Sequence, residues 1–206
     1  MGRIAKRLLD LIGSFFGLIL LSPFLALLGI IAYFKLGRPV LYKQERPGLD
    51  GRPFILYKFR SMSEESDQEG RPLPDEKRLS SFGKFLRRWS LDEFPELWNV
   101  FLGEMSLVGP RPLLMEYLPR YTPEQRRRHD MKPGLTGWAQ INGRNAITWD
   151  DRFRLDVWYV DHWSFWLDIK ILIRTFFQFL KREGITAEGH ATMPKFFGPA
   201  DSDSSH

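Results

Sequence analysis

The chain contains no cysteine, which excludes a disulfide scaffold and any thiolate metal site. Its four histidines have no metal-site spacing, so a zinc centre is not expected. It carries neither a P-loop nor a G-x-G-x-x-G dinucleotide fingerprint. Internal repeats are absent, and no linker is long enough to divide the chain. Acid is in deficit: 25 Asp and Glu stand against 30 Lys and Arg, giving a net charge of +5. A basic surplus suits an anionic partner, whether nucleic acid, an anionic membrane face or a phosphorylated substrate. What remains is 206 residues, enough for one domain with a sizeable core. Aromatics make up 15% of them, and amphipathic aromatics gather at membrane–water interfaces.

Charge is also missing after Asp10 as far as Phe34. The apolar run from Leu8 exceeds the ~20 residues a spanning helix needs, and it is too long for a signal peptide. Ser22-Pro23 falls near its middle. Proline removes a backbone donor and crowds the preceding turn, so it predicts a kink there. Each arm then reaches ~18 Å, about half of a ~30 Å hydrocarbon core. Arg3, Lys6 and Arg7 precede the run, and Lys35 and Arg38 follow it. Basic flanks prefer the cytoplasmic side. Basic residues at both ends therefore favour a helix-break-helix that enters and leaves on one face, with a simple span as the alternative. Gly13, Gly17 and Gly29 either allow close packing or reflect the frequency of glycine in membrane helices.

Beyond the run, residues 39–62 predict a β-hairpin turning at Asp50-Gly51. Residues 63–76 read as a loop, and 79–89 as a short basic amphipathic helix with Lys84, Arg87 and Arg88. Ser90 and Glu93 have the spacing of a capping box, with Trp89 and Phe94 as its hydrophobic staple, opening a helix that ends at Gly103. Thr122-Pro123-Glu124-Gln125 is a second capping box, for a helix ending before Pro133-Gly134. Thr148 with Asp151 opens another, to about His162. Residues 165–182 predict an apolar helix studded with Asp168, Lys170, Arg174 and Lys181, suited to a bilayer interface or to a core.

Asp92 and Glu93 are the chemical focus. The bland account is good: acids favour a helix's first turn, and a capping box explains Glu93. The same place also keeps a carboxylate ionised near a phosphate. An ionised Asp can attack phosphorus or hold Mg²⁺. Arg111 lies between Pro110 and Pro112, which stiffen the chain around a planar fork suited to phosphate oxygens. Lys58, Arg60 and Arg87 add cations, each unremarkable alone, as is Asp156.

In order along the chain, the broken apolar run, Gln44-Glu45-Arg46-Pro47-Gly48, Lys58-Phe59-Arg60-Ser61-Met62, Ser90-Leu91-Asp92-Glu93, Gly109-Pro110-Arg111-Pro112 and Pro133-Gly134-Leu135-Thr136-Gly137 resemble the bacterial sugar transferase family, the monotopic phosphoglycosyl transferases. The match runs from about residue 3 to 197. Gly143-Arg144-Asn145-Ala146-Ile147 and Gly189-His190-Ala191-Thr192 point to the minimal form. The resemblance implies transfer of a phospho-sugar from a UDP-sugar to undecaprenyl phosphate, releasing UMP. It implies Asp92 as nucleophile and Mg²⁺ ligand, and Glu93 as helper in proton removal from the acceptor. Lys58, Arg87, Arg111 and Asp156 would line the substrate site, and Ser22-Pro23 would break a re-entrant helix. The subgroup suggests an N-acetylated amino sugar. The location implied is the bacterial inner membrane, with the site facing the cytoplasm and no nucleic-acid partner. The fold expected is α/β, mostly helical with a small β-hairpin: a re-entrant membrane helix over 1–36, a catalytic domain with interfacial amphipathic helices over 37–200, and a disordered tail over 201–206. Rival readings are direct attack without a covalent intermediate, a membrane-anchored nucleic-acid binder, and a non-catalytic membrane scaffold.

Overall fold

The computed structural model of the chain describes residues 2–63, 67, 69, 71, 73–143, 147–181 and 195–198. The expected tail, the 189–192 motif and residues 144–146 lie outside these. Helix α1 spans Gly2–Leu36 and contains Pro23. Where the sequence predicts a break at Ser22-Pro23, the structure has one helix assigned without interruption, which corrects the helix-break-helix in its secondary structure. The Ser22 hydroxyl donates to the Ile19 carbonyl at 2.8 Å. Such back-bonding to freed carbonyls is one way apolar helices tolerate proline.

The expected hairpin is β1 (Leu41–Pro47) and β2 (Pro53–Phe59), antiparallel, with Leu41 opposite Phe59 and Pro47 opposite Pro53. Asp50 and Gly51 turn it, at φ 56° and 74°. Phe54 and Leu56 point to the same face and are buried against Val100 and Met105. The strand period of two puts Lys58 on that face too. A short turn, α2 (Asp75–Arg78), precedes α3 (Ser81–Arg88), where the Ser80 hydroxyl caps by accepting from Gly83 N at 2.9 Å. A Cβ on Gly83 would lie 1.8 Å from the Ser61 carbonyl oxygen. Glycine there lets α3 press its backbone against the end of the hairpin.

Helix α4 (Glu96–Leu102) ends at Gly103, at φ 88°, as the sequence predicts. Its start differs from expectation. Ser90 adopts a left-handed conformation, φ 50°, and caps nothing, and residues 91–93 form a single 3-10 turn. The capping box fails because the Glu93 carboxylate is bound elsewhere. Trp89 and Phe94 instead pack on the cluster of Leu28, Phe59, Leu86 and Leu91, which joins α1 to the residues beside Asp92.

Strand β3 (Ser106–Val108) pairs in parallel with β4 (Gly134–Thr136), a second two-stranded sheet that the sequence reading missed. Between them, α5 (Pro123–Arg126) has the full capping box at Thr122 but is only one turn long, continuing as a 3-10 turn to His129. The glycines of two motifs face one another here. Gly109 N donates to the Thr136 carbonyl at 2.9 Å, and Gly134 N to the Pro110 carbonyl at 3.0 Å. A Cβ on Gly134 would lie 2.0 Å from Gly109 N, so nothing larger than glycine fits. This backbone clamp sets where Arg111 emerges. Helices α6 (Trp138–Asn142), α7 (Trp149–Asp161, capped by Thr148) and α8 (Phe165–Lys181) complete the fold.

Both ends of α1 are bonded to this globular part. Lys6 donates to Asp168 at 2.7 Å and to the Val108 carbonyl at 2.8 Å. Tyr159 and Trp163 also donate to Asp168. Arg7 bonds the Val100 and Phe101 carbonyls at the end of α4. Asp10 accepts from Ser106 Oγ and Leu107 N. At the other end, Arg60 bonds the Leu36 and Arg38 carbonyls. Lys6 and Arg7, read from sequence as basic membrane flanks, are thus protein-binding groups. A Cβ on Gly13 would meet Leu107 at 2.7 Å, so that glycine serves close packing. Ile12, Phe16, Leu20, Leu27 and Phe34 of α1 remain exposed, as do Trp166, Phe176 and Leu180 of α8. The exposed apolar face of α8 shows that it is not a fully buried core helix.

Candidate active site

The site forms where the end of β2, the 91–93 turn, α3 and the Pro110–Pro112 segment meet. Lys58 reaches from β2 to Glu93 at 2.8 Å and to Glu96 at 3.0 Å. Arg111 grips both oxygens of Glu93 through its two Nη atoms. Arg87, in the last turn of α3, is oriented by donating to Ser61 Oγ at 3.0 Å. The Lys58–Met62 motif therefore does three jobs: Lys58 enters the site, Arg60 ends α1, and Ser61 steers Arg87.

Asp92 and Glu93 are adjacent but electrostatically opposite. Burial raises the pKa of Asp92, and the neighbouring Glu93 raises it further, against the pull of Lys58, Arg87 and Arg111. Burial works the same way on Glu93, but Arg111 and then Lys58 outweigh it and hold that carboxyl far below the usual range. Arg111 is correspondingly raised, chiefly by Glu93. Burial pushes Lys58 down, yet Glu93 and Glu96 outweigh it and leave its pKa raised. Adjacent titratable groups driven apart in this way divide their labour. Glu93 is spent on two cations. The Asp92 carboxylate accepts no hydrogen bond and forms no ion pair among the described residues, although it is only 9% exposed. A buried carboxylate with no hydrogen bond or ion pair among the described residues, in the field of Lys58, Arg87 and Arg111, can meet an external electrophile or a metal ion.

A third acid escaped the sequence reading. Glu96 is buried at the start of α4 and pushed up to about 7, by burial first and by Glu93. Its signal was available: Glu93 and Glu96 are three apart, the spacing that puts two side chains on one helical face. Glu96 is thus an acid whose proton exchanges near neutral pH.

The structure brings Lys58, Arg87, Asp92, Glu93 and Arg111 together, as the sequence predicts. Asp156 is different. It is 2% exposed and pairs with Arg128 at 2.7 Å. Arg128 in turn donates to the Arg111 carbonyl at 2.7 Å. Asp156 does not line the site as expected; it stands behind it and acts through Arg128 on the backbone that carries Arg111. Arg128 was missed because it lies in a run of three arginines, which reads as a solvated face. Ser22 and Pro23 are exposed on α1.

With this geometry in view, comparison with known proteins is specific. A family model described as bacterial sugar transferase matches residues 1–182. The chain is 54% identical over 198 residues to the uncharacterized sugar transferase EpsL of Bacillus subtilis, covering 96% of this chain and 98% of that protein. It is 41% identical over 192 residues to the galactosyl transferase CpsE of Streptococcus agalactiae, covering 84% of this chain and 41% of the other. It is 40% identical over 183 residues to the UDP-glucose:undecaprenyl-phosphate glucose-1-phosphate transferase of Klebsiella pneumoniae, covering 84% and 39%. The chain thus spans about two fifths of the length of the latter two, and nearly all of the first.

Proposed function

Because the chain belongs to the bacterial sugar transferase family, we propose that it moves a sugar-1-phosphate from a UDP-sugar to undecaprenyl phosphate, with Asp92 as the covalent nucleophile. The observation that carries this reading is the buried Asp92 carboxylate, which has no hydrogen bond or ion pair among the described residues and lies in the field of Lys58, Arg87 and Arg111. Attack by an Asp92 oxygen on the sugar-linked phosphorus forms an acyl phosphate. The phosphoanhydride bond breaks, and its electron pair leaves with UMP. The lipid phosphate then attacks the same phosphorus and regenerates Asp92. A covalent step lets the soluble nucleotide product leave before a bilayer-bound acceptor arrives.

Glu93 has a different role in this scheme from the proton acceptor that the resemblance implies. A carboxyl held so firmly ionised is a weak base, and a phosphate monoester whose second pKa is about 6 is already mostly dianionic at neutral pH. Glu93 instead holds Lys58 and Arg111 in place.

Magnesium belongs to the same proposal. Among the described residues no group of three or more His, Asp or Glu side chains is arranged to hold a metal ion by itself. A Mg²⁺ ion commonly takes one or two carboxylates plus substrate phosphates. Asp92 fits that donor set, and the ion would neutralise charge on the diphosphate.

The proposed membrane placement is re-entrant, at the inner membrane with the site facing the cytoplasm. Its support is that Lys6, Arg7 and Asp10 at one end of α1 bond to the globular body, and that Arg60 of that body donates to the Leu36 carbonyl at the other end. A helix crossing a ~30 Å hydrocarbon core would set its ends on opposite sides, where one compact body cannot hold both. Cysteines placed at residues 5 and 37 should both react with a membrane-impermeant reagent from the cytoplasmic side only. Labelling from opposite sides would refute the re-entrant placement.

The resemblance suggests an N-acetylated amino sugar, whereas two of the relatives are named for galactose or glucose. A panel of these UDP-sugars with undecaprenyl phosphate and Mg²⁺ should release UMP with one of them. That donor, labelled in its sugar phosphate and given without acceptor, should leave about one label per chain on Asp92. Turnover without such an adduct would favour direct attack by the lipid phosphate.

A further inference from the structure

Glu96 is the acid of the site to which the transfer scheme gives no task. It opens α4 and is 2% exposed. The Lys58 ammonium stands 3.0 Å from Glu96 Oε1 and 2.8 Å from Glu93 Oε1, so one cation serves two carboxylates. Their holds on it differ. Glu93 is also gripped by both Nη atoms of Arg111, whereas Lys58 is the one ion-pair partner of Glu96 among the described residues. The other charges that bear on Glu96 are Glu93, from the 91–93 turn, and Arg111. Arg46, bonded to Gln44 on β1, also feels the Glu96 charge. Helix α1 and β3 pack on α4 as well. Of the charges on α1, Arg7 bonds carbonyls in the last turn of α4, while Lys6 and Asp10 bond to α8 and β3.

With all three acids ionised, Asp92, Glu93 and Glu96 match Lys58, Arg87 and Arg111 charge for charge. A diphosphate brings a negative charge on each phosphate, and it needs a cation that is not already neutralised. A proton on one acid supplies one. Asp92 must stay ionised to attack, and Glu93 is bound by two cations. Glu96 is the acid left to give up its charge, and burial already brings it to about 7. A phosphate arriving at Lys58 favours that proton further, because a like charge disfavours the ionised form of a carboxyl. By reciprocity, the proton tightens phosphate binding by the same factor.

We propose that Glu96 is a positioning residue that hands Lys58 to the substrate: it takes up a proton as the donor diphosphate enters, and the Lys58 ammonium passes from Glu96 to a phosphate oxygen while Glu93 still holds it. This rests on the transfer reading above. The proton comes from solvent, stays on a Glu96 carboxyl oxygen while the phosphate is bound, and returns to solvent when the phosphates have left. It never reaches the reacting atoms, so the bonds made and broken at phosphorus are those already given. Glu93 and Glu96 then have separate duties toward one lysine. Glu93 keeps it in the site, and Glu96 decides when it is available.

The test compares the full-length wild type with Glu96→Gln in detergent at fixed Mg²⁺, using the UDP-sugar that turns over in the panel above. UMP release gives the donor kcat/KM against pH, which reports groups of the free enzyme. Wild type should lose donor kcat/KM above about pH 7. Glu96→Gln, neutral at every pH, should lack that alkaline limb. The ratio of variant to wild type should therefore climb about tenfold from about pH 6 to about pH 8. A merely structural Glu96 would lower activity by one factor at every pH. That constant ratio overturns the proposal, as does a wild-type profile flat to about pH 9. Proton uptake is read separately by calorimetry, in two buffers of different ionisation enthalpy. The same UDP-sugar is bound to Asp92→Asn, which lacks the nucleophile and the Asp92 titration. It should take up about half a proton per site at about pH 7, and none once Glu96→Gln is added. Equal uptake in both overturns the proposal and leaves the transfer reading standing. A wild type that releases no UMP from any UDP-sugar at any pH removes that reading, and the proposal with it.

Discussion

Asp92→Asn should lower UMP release by at least about 10⁴-fold, the scale of losing a nucleophile, while leaving thermal unfolding and membrane association intact. The amide keeps the shape of the side chain. The carboxylate has no protein hydrogen bonds among the described residues to forfeit. Its pKa is raised by burial, so its charged form opposes folding, and stability associated with it is lost as pH rises through that raised pKa. Removing the charge cannot destabilise the protein by that route. Wild-type activity should also fall on acidification at a higher pH than an ordinary aspartate would give, because Asp92 takes up its proton earlier. Glu93→Gln should behave in the opposite way. Its depressed pKa means that it contributes stability above its unfolded pKa, lost as pH falls toward the folded one. The variant should unfold more easily and misplace Arg111. Turnover retained in Asp92→Asn would sink the nucleophile assignment, and the contrast with Glu93→Gln separates chemistry from scaffolding.

Lys6→Met should cost about 3–5 kcal/mol, the range for breaking a buried ion pair from one side. Lys6 and Asp168 are 8% and 0% exposed, and their carboxylate–ammonium contact is 2.7 Å. Met retains much of the length and apolar stem but strands Asp168 with only the Tyr159 and Trp163 donors. Since domains are stable by only about 5–15 kcal/mol, the melting temperature in detergent should drop sharply. The N-terminal turns of α1 should also become accessible to protease. A second substitution, Asp168→Asn, should restore part of the loss by removing the stranded charge. A drop of less than about 1 kcal/mol in Lys6→Met, the scale of an exposed pair, would refute the docking of α1 onto α8.

Much of the local structure was legible because it is decided locally. The Asp50-Gly51 turn, the Thr122 and Thr148 caps and the Gly103 stop each depend on backbone preferences within a few residues. The same local logic misread Ser90 and Glu93. Their spacing fits a capping box, but the pull of Lys58, 35 residues away, and of Arg111, 18 residues on, outweighs a single backbone hydrogen bond. The membrane flank was misread for a similar reason. Lys6 and Arg7 are basic residues before an apolar run, and nothing in that neighbourhood reveals that Asp168 and the carbonyls of α4 await them. The parallel pairing of β3 with β4 was invisible because each strand is three residues long and its partner lies beyond an intervening α5.

By itself, the sequence determined the family, the apolar N-terminal helix, the hairpin and the identity of the residues around Asp92, because motif order and residue chemistry are properties of the chain. Only the tertiary structure decided what each charge does. It left Asp92 without a hydrogen bond among the described residues while binding Glu93, moved Asp156 behind the site and brought Glu96 into it. The physical reason is that the state of an ionisable group is set by burial and by charges a few ångströms away, and in this fold those charges come from segments tens of residues apart.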